Sequence, residues 1–247
     1  MSNRLRYGYT GDRRLLEGAD WLGAFDGLRR HFHDEVQVSF LERGRRDYVI
    51  AGSTVSLWAG QLLILPHKRV HRAMPSLDFT VRSTEFYFAP SKLPHAAAAW
   101  IESKAYVIVD APNLVGTAAD DLPPVVLDAI TTLNPDRVVP GTSRAPTTNY
   151  QHLGVPVDDA QIGEIAAARH LTREAYIRAF TRRLGMTPHA YRINQRLNQG
   201  RQLLRQGHAI ADVAAAVGFS DQSHFGRSFL ACFGATPGQF RAAHLKR

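Results

Sequence analysis

The last ninety residues of this 247-residue chain hold an internal repeat, and it constrains the fold more than any other feature. Residues 162–172 (IGEIAAARHLT) align with residues 210–220 (IADVAAAVGFS). Residues 178–192 (RAFTRRLGMTPHAYR) align with residues 227–241 (RSFLACFGATPGQFR), with one extra residue in the second copy. Each copy predicts a short alanine-rich helix (162–169, 210–217), whose small side chains let a second helix cross closely, then a tight turn. Gly218 suits a left-handed turn at no steric cost. His170 takes its place in the first copy, where such a conformation costs about 1–2 kcal/mol. Thr172, and Ser220 or Asp221, are candidate N-caps for the helices that follow. Those helices carry apolar faces (Tyr176, Phe180; Phe225, Phe229) and polar faces rich in donors. A capped helix with such a polar face, projecting from a trihelical core, is the form that enters a DNA major groove.

Between the copies, Pro188 opens a helix on which Ile193, Leu197, Gly200 and Leu204 recur at 4-3-4 spacing. A connector over 188–206 is about 28 Å long at 1.5 Å per residue, comparable with the ~34 Å turn of B-DNA. It can set two reading helices in successive grooves on one face. Gly200 on its packing face suits a close approach. Charge points the same way. Residues 158–247 hold 13 Lys/Arg against 6 Asp/Glu, whereas residues 1–157 hold 17 against 16. Nearly all of the +8 net charge therefore sits on the repeat, as a polyanion-binding segment requires.

The first hundred residues read as strands. Val36, Val38 and Phe40 alternate with Gln37 and Ser39 in the period-2 pattern of a half-buried strand. Segments 47–50 and 54–58 flank an Ala-Gly-Ser turn at 51–53, which predicts a hairpin. Segment 61–65 is closed by Pro66, and 79–81 and 85–88 continue the pattern. Short strands with Gly/Pro turns favour a sandwich or barrel over a parallel sheet. Residues 95–106 predict a helix; Asp121 is the expected cap of another, with Pro123 and Pro124 in its first turn. Trp58 and Trp100 are expected in the core. Residues 134–157 have linker composition. The expected organisation is a sensor barrel at 1–95, bridging helices at 96–134, a linker at 135–157 and a DNA-binding domain at 158–247. No apolar run is long enough for a membrane span, and the single cysteine, Cys232, fits a reducing compartment, so a cytoplasmic protein is expected.

Residues 162–241 resemble the DNA-binding domain of the AraC/XylS transcription regulators, with GFSDQSHFGRSFLACFGATPGQFR (218–241) similar to that family's signature. The resemblance implies base-reading residues Arg173, Glu174, Ile177 and Arg178 in the first reading helix, and Gln222, Ser223, His224 and Arg227 in the second. Arginine forks suit guanine and glutamine suits adenine. Ile177 is either a thymine-methyl contact or core. Thr172, Arg192, Arg196, Ser220 and Arg241 are assigned to phosphates. The family has basic residues where this chain has Leu230-Ala231-Cys232, which predicts fewer phosphate contacts there.

The strand-rich part resembles a cupin sensor domain through His31-Phe32-His33, Gln37, Gly44, Gly60-x5-Pro66 and His71. Cupin enzymes ligate metal with a His-x-His, a glutamate and a later histidine; here Gln37 stands at the glutamate position. His31, His33 and Gln37 share parity on an extended segment, so they can point into one barrel together with His71. Two uses are open. The preferred one is a metal-free effector pocket with no cofactor expected; the other is a divalent metal on His31, His33 and His71.

The expected fold is α+β multidomain: an N-terminal cupin-like antiparallel β-barrel, then an all-α domain with two helix-turn-helix motifs. The expected function is a sequence-specific transcription regulator, not an enzyme, controlled by a small molecule in the barrel. Expected partners are double-stranded promoter or operator DNA, a small-molecule effector, a second copy in a homodimer, and RNA polymerase if it activates; no membrane is expected. The alternatives are a metal-dependent cupin enzyme fused to a DNA-binding domain, and a constitutive DNA-binding dimer.

Overall fold

A computed structural model describes residues 4–8, 15–24, 26–118, 121–132 and 160–245. The expected linker at 135–157 lies outside the described residues. The N-terminal part is two antiparallel sheets. Six strands, β1 (Arg4–Gly8), β2 (Leu15–Leu22), β8 (Arg82–Phe88), β3 (Val36–Arg43), β6 (Gln61–Leu65) and β9 (Val107–Asp110), pair in that order. A smaller sheet has the order β5 (Ser53–Trp58), β4 (Arg45–Ile50), β7 (His71–Ala73). The β4–β5 hairpin turns on Ala51 and Gly52, both with positive φ (50° and 86°), the mirror-image turn whose twist matches the strands.

Side-chain alternation on β3 sorts two cores. Val36, Val38 and Phe40 join Leu62, Ile64, Phe86 and Phe88 on one face of the large sheet. That face is covered by α1 (His95–Glu102) and α2 (Leu122–Thr131) through Ile101, Leu122, Val126, Leu127 and Ile130. On the other face Leu41, Leu63 and Leu65 meet Tyr48, Ile50, Val55 and Leu57 of the small sheet. β3 is therefore buried on both faces, and its polar residues Gln37 and Ser39 lie inside the domain (5% and 0% exposed).

Several local expectations need correction. The helix expected over 95–106 ends at Glu102, and Val107–Asp110 instead completes the large sheet beside β6. A four-residue strand with three apolar positions carries too little pattern to announce itself. Asp121 makes no side-chain cap bond, since its backbone is already helical (φ −92°, ψ −15°). Residues 79–81 form no strand, and Phe79 is largely exposed. Trp58 is likewise 53% exposed, and its ring carries the Arg45 guanidinium at 5.0 Å; Trp100 packs partly buried against the helix-covered core.

The C-terminal part comprises α3 (Ala160–Ala167), α4 (Arg173–Leu184), α5 (Pro188–Arg205), α6 (Ile210–Ala216), α7 (Gln222–Phe233) and α8 (Pro237–Leu245). Thr172 caps α4 by accepting from the Ala175 N–H, and Asp221, rather than Ser220, caps α7 by accepting from the His224 N–H. Gly185 and Gly234 end those two helices in the left-handed conformation (φ 78° and 74°). The turns differ as the sequence implies: Gly218 sits at φ 77°, and His170 is held at φ 55°. A Cβ on Gly200 would stand 2.8 Å from the Phe225 ring, so α5 and α7 touch across that glycine.

Candidate functional site

The polar faces of α4 and α7 are built as the repeat predicts. Arg173, Glu174 and Arg178 are exposed on α4, and Gln222, Ser223, His224 and Arg227 on α7. Ile177 is half-buried and packs against the core of Tyr176, Phe180 and Tyr191. The five residues assigned to phosphates diverge. Thr172 and Ser220 are exposed, at the starts of α4 and α7. The Arg196 guanidinium donates to the Gly218 carbonyl (3.0 Å), bracing the second turn, and Arg241 donates to the Gly207 carbonyl (2.8 Å). Arg192 is only 7% exposed and donates to His189 Nδ1, so its guanidinium does not face solvent here.

His31, His33, Gln37 and His71 converge on one buried pocket. His31 and His71 exchange both backbone N–H···O=C bonds (3.0 and 2.9 Å), which locks their segments together. Each then donates its ring Nδ1–H to a carbonyl two residues back, Arg29 at 2.8 Å and Arg69 at 2.9 Å. One ligand atom from each of His31, His33 and His71 lies within 4.8 Å of the others. Burial keeps all three rings neutral: it drives His71 down to about 4 and, helped by His71 for the former and Arg201 for the latter, holds His31 and His33 well below the usual histidine range. Gln37 donates to the Glu85 carboxylate (2.9 Å), which also accepts from Ser39 and Arg46. Burial raises the Glu85 carboxyl despite those partners. Trp21, Tyr48, Tyr87 and Phe233 close the pocket, leaving a void of about 20 Å³, the size of one water.

Phe233 belongs to α7, so the helical domain itself supplies a wall of the pocket. Sequence reasoning missed this contact. The segment 31–33 alternates like a strand: His31 and His33 face the pocket, and Phe32 points the other way, fully buried among Tyr176, Phe180 and Tyr191 of the first helix-turn-helix core. Asn194 accepts from the Phe32 N–H (2.6 Å), and Asn198 donates to its C=O (2.9 Å). Arg201 and Arg205, further along α5, form a closed ionic set with Glu17 and Glu35 of the strand domain, all four largely buried. Burial alone would raise the Glu35 carboxyl, but Arg201 and Arg205 outweigh it and hold it below the usual carboxylate range. Arg201 also donates to His33 Nδ1 (2.6 Å). The Ala231 carbonyl accepts from the Arg29 N–H (2.8 Å), so Ala231 lies against the strand domain, while Leu230 beside it is exposed. One signal could have found these residues. Asn194, Asn198, Arg201 and Arg205 repeat the 4-3-4 spacing of the apolar stripe, one position on, and mark a second buried face of α5.

Comparison with known proteins gives the same division. Residues 16–122 match the AraC-like ligand binding domain, and residues 165–243 match a helix-turn-helix domain. Over 87 residues the chain is 34% identical to the HTH-type transcriptional regulator MtrA of Neisseria gonorrhoeae, covering 35% of this chain and 29% of that protein. It is 34% identical over 95 residues to the arabinose operon regulatory protein of Escherichia coli, covering 37% of this chain and 32% of that protein. These matches thus span about a third of the relatives' length. The fold as a whole is similar to that of ToxT from Vibrio cholerae, solved with an unsaturated fatty acid bound: TM-score 0.54 at 12% identity, over 98% of this chain and 96% of that one.

Proposed function

We propose that this chain, which belongs to the AraC family of transcription regulators by both of its domains, reads a specific DNA sequence with α4 and α7 and is controlled through the buried pocket of its strand domain. The observation that carries the proposal is the shared wall. The same α7 presents Gln222, Ser223, His224 and Arg227 outward and ends in Phe233, which closes the pocket. Whatever changes the pocket therefore acts on a reading helix without any intermediary.

On DNA, Arg178 and Arg227 serve as guanine forks and Gln222 as an adenine reader, with Arg173, Glu174, Ser223 and His224 flanking them. Thr172 and Ser220 serve as phosphate contacts beside the helix N-termini. Arg196 and Arg241 join them only where their guanidiniums can share a carbonyl with a phosphate, and Arg192 is left to packing. α5 spans 18 residues, about 27 Å at 1.5 Å per residue, suited to successive grooves. We read the pocket as a sensor rather than a catalytic centre, because Gln37 replaces a carboxylate ligand and Glu85 is engaged by Ser39, Gln37 and Arg46. A homodimer on DNA and a cytoplasmic setting complete the proposal; among the described residues no helix is long and apolar enough to cross a membrane.

Selection from a random duplex pool tests it. The chain should enrich a bipartite site, and binding should weaken steeply with salt. Arg227→Ala should lose about 1–3 kcal/mol and relax base preference at one position only. Enrichment of no site, or an unchanged preference in Arg227→Ala, would contradict the assignment.

A further inference from the structure

A second cavity lies where the two domains meet, outside the buried pocket. It is an open cleft of about 330 Å³ between the β4–β5 turn and the last turn of α4. Four arginines line it and no acid does: Arg30 and Arg69 from the strand domain, Arg182 and Arg183 from α4. Among the described residues none of the four forms an ion pair, whereas Arg201 and Arg205 at the same junction are both met by Glu17 and Glu35. Like charges across a gap repel, and a cleft of one sign focuses its field on any anion that enters. The basic last turn of α4 offsets the helix dipole. That accounts for Arg182 and Arg183 but not for the two arginines opposite them.

Arg69 adds an independent sign. It is 9% exposed, its Nη2 donates to the Lys104 carbonyl (3.0 Å), and its Nε–H has no acceptor. A buried donor without a partner is costly, and an oxyanion in the cleft supplies what it lacks. Val49, Val70 and Leu184 form an apolar part of the wall, which suits an organic anion better than a bare inorganic one. The volume falls within the range of about 300–1,000 Å³ usual for small-molecule sites. We infer that this cleft is a second ligand site, which takes a small organic polyanion, a phosphate ester or a polycarboxylate, and bridges α4 to the strand domain. Guanidinium forks match the paired oxygens of either group. Each wall alone offers two positive charges, and only the docked domains offer four, so the anion binds the docked arrangement best and favours it. Arg30 already donates to the Gly185 carbonyl (3.1 Å), so the walls start in contact. The cleft also touches the buried pocket through the backbone: Arg30 precedes His31, and the Arg69 carbonyl accepts from the His71 ring. The inference goes beyond the proposed function and does not depend on what the pocket senses.

Calorimetry on the full chain at fixed ionic strength tests it, with phenyl phosphate and phthalate as separate probes. At least one of them should bind once per chain and raise the melting temperature; the tighter of the two identifies the class. Arg30→Gln and Arg183→Gln change exposed positions on opposite walls. Each should weaken binding roughly tenfold, the value of a charge-assisted hydrogen bond. Arg43→Gln, exposed at the end of β3, should bind as the wild type does. Amide hydrogen exchange should slow on both walls, in the β4–β5 turn and in the last turn of α4. Binding of neither probe at millimolar concentration, or slowed exchange on one wall only, would overturn the inference. Binding lost in Arg183→Gln but intact in Arg30→Gln would mark a DNA-phosphate patch on α4 and equally overturn a shared site. Should neither anion bind while a selected DNA site is still recognised, the inference fails and the proposed function stands.

Discussion

At the scale of single residues, burial explains which sequence signals could be read correctly. His31, His33 and Gln37 were grouped by their even spacing on an extended segment, with His71 arriving from a later strand, and all four line one pocket. Phe32 was not, although the same parity sends it the opposite way; nothing in the sequence says that a second domain waits there. Gly200 was legible as a close-approach position because an unbranched gap on an apolar stripe has few other uses. Gly200→Ala would place a methyl against the Phe225 ring. It should destabilise the protein by about 1–3 kcal/mol, the usual cost of overpacking, as read by urea denaturation, and a neutral result would mean α5 and α7 sit further apart.

At the scale of elements, the repeat placed α3, α5 and α6 to within about two residues and the starts of α4 and α7 at their caps, since helical periodicity, the proline start and the capping residues agree. Its asymmetry was visible too. His170 holds φ 55° where Gly218 holds 77°, so the first turn carries strain that the second does not. His170→Gly should relieve that strain and stabilise the protein by about 1 kcal/mol or less, part of the 1–2 kcal/mol gain being offset by glycine's greater freedom when unfolded. Thermal denaturation reads the difference; a loss of stability would mean the imidazole makes contacts worth more than the strain. The strand β9 and the uncapped start of α2 were not legible, because three apolar residues and two prolines fit more than one local structure.

At the scale of the whole molecule, the two-domain division was legible and the way the domains meet was not. Contacts between distant segments depend on charges that look, in sequence, like solvated helix faces: Arg201 and Arg205 resemble any arginines on a basic helix until Glu17 and Glu35 are seen opposite them. A closed set of two guanidiniums and two carboxylates specifies one docking geometry more than it stabilises it. The buried histidines set the pH behaviour. They are neutral in the folded chain, with pKa values below the 6.5 of the unfolded one. As pH falls from 6.5 toward 4, the unfolded state takes up protons that the folded state refuses, and stability is lost. Each histidine contributes up to about 1.4 kcal/mol per pH unit. His71→Gln should flatten that slope in pH-dependent denaturation; an unchanged slope would place the acid sensitivity elsewhere.

The most direct measurement of the whole is the affinity of a selected DNA site for the wild-type chain and for Glu17→Gln/Glu35→Gln, which leaves Arg201 and Arg205 without counter-charges. Losing one side of a buried ion pair costs about 3–5 kcal/mol, enough to undock the domains while leaving both reading helices intact. The expected result is an unchanged base preference with an affinity shifted about fivefold or more, the range of a real coupling free energy. Equal affinity and equal preference in the two proteins would show that the strand domain does not control the helices that read DNA.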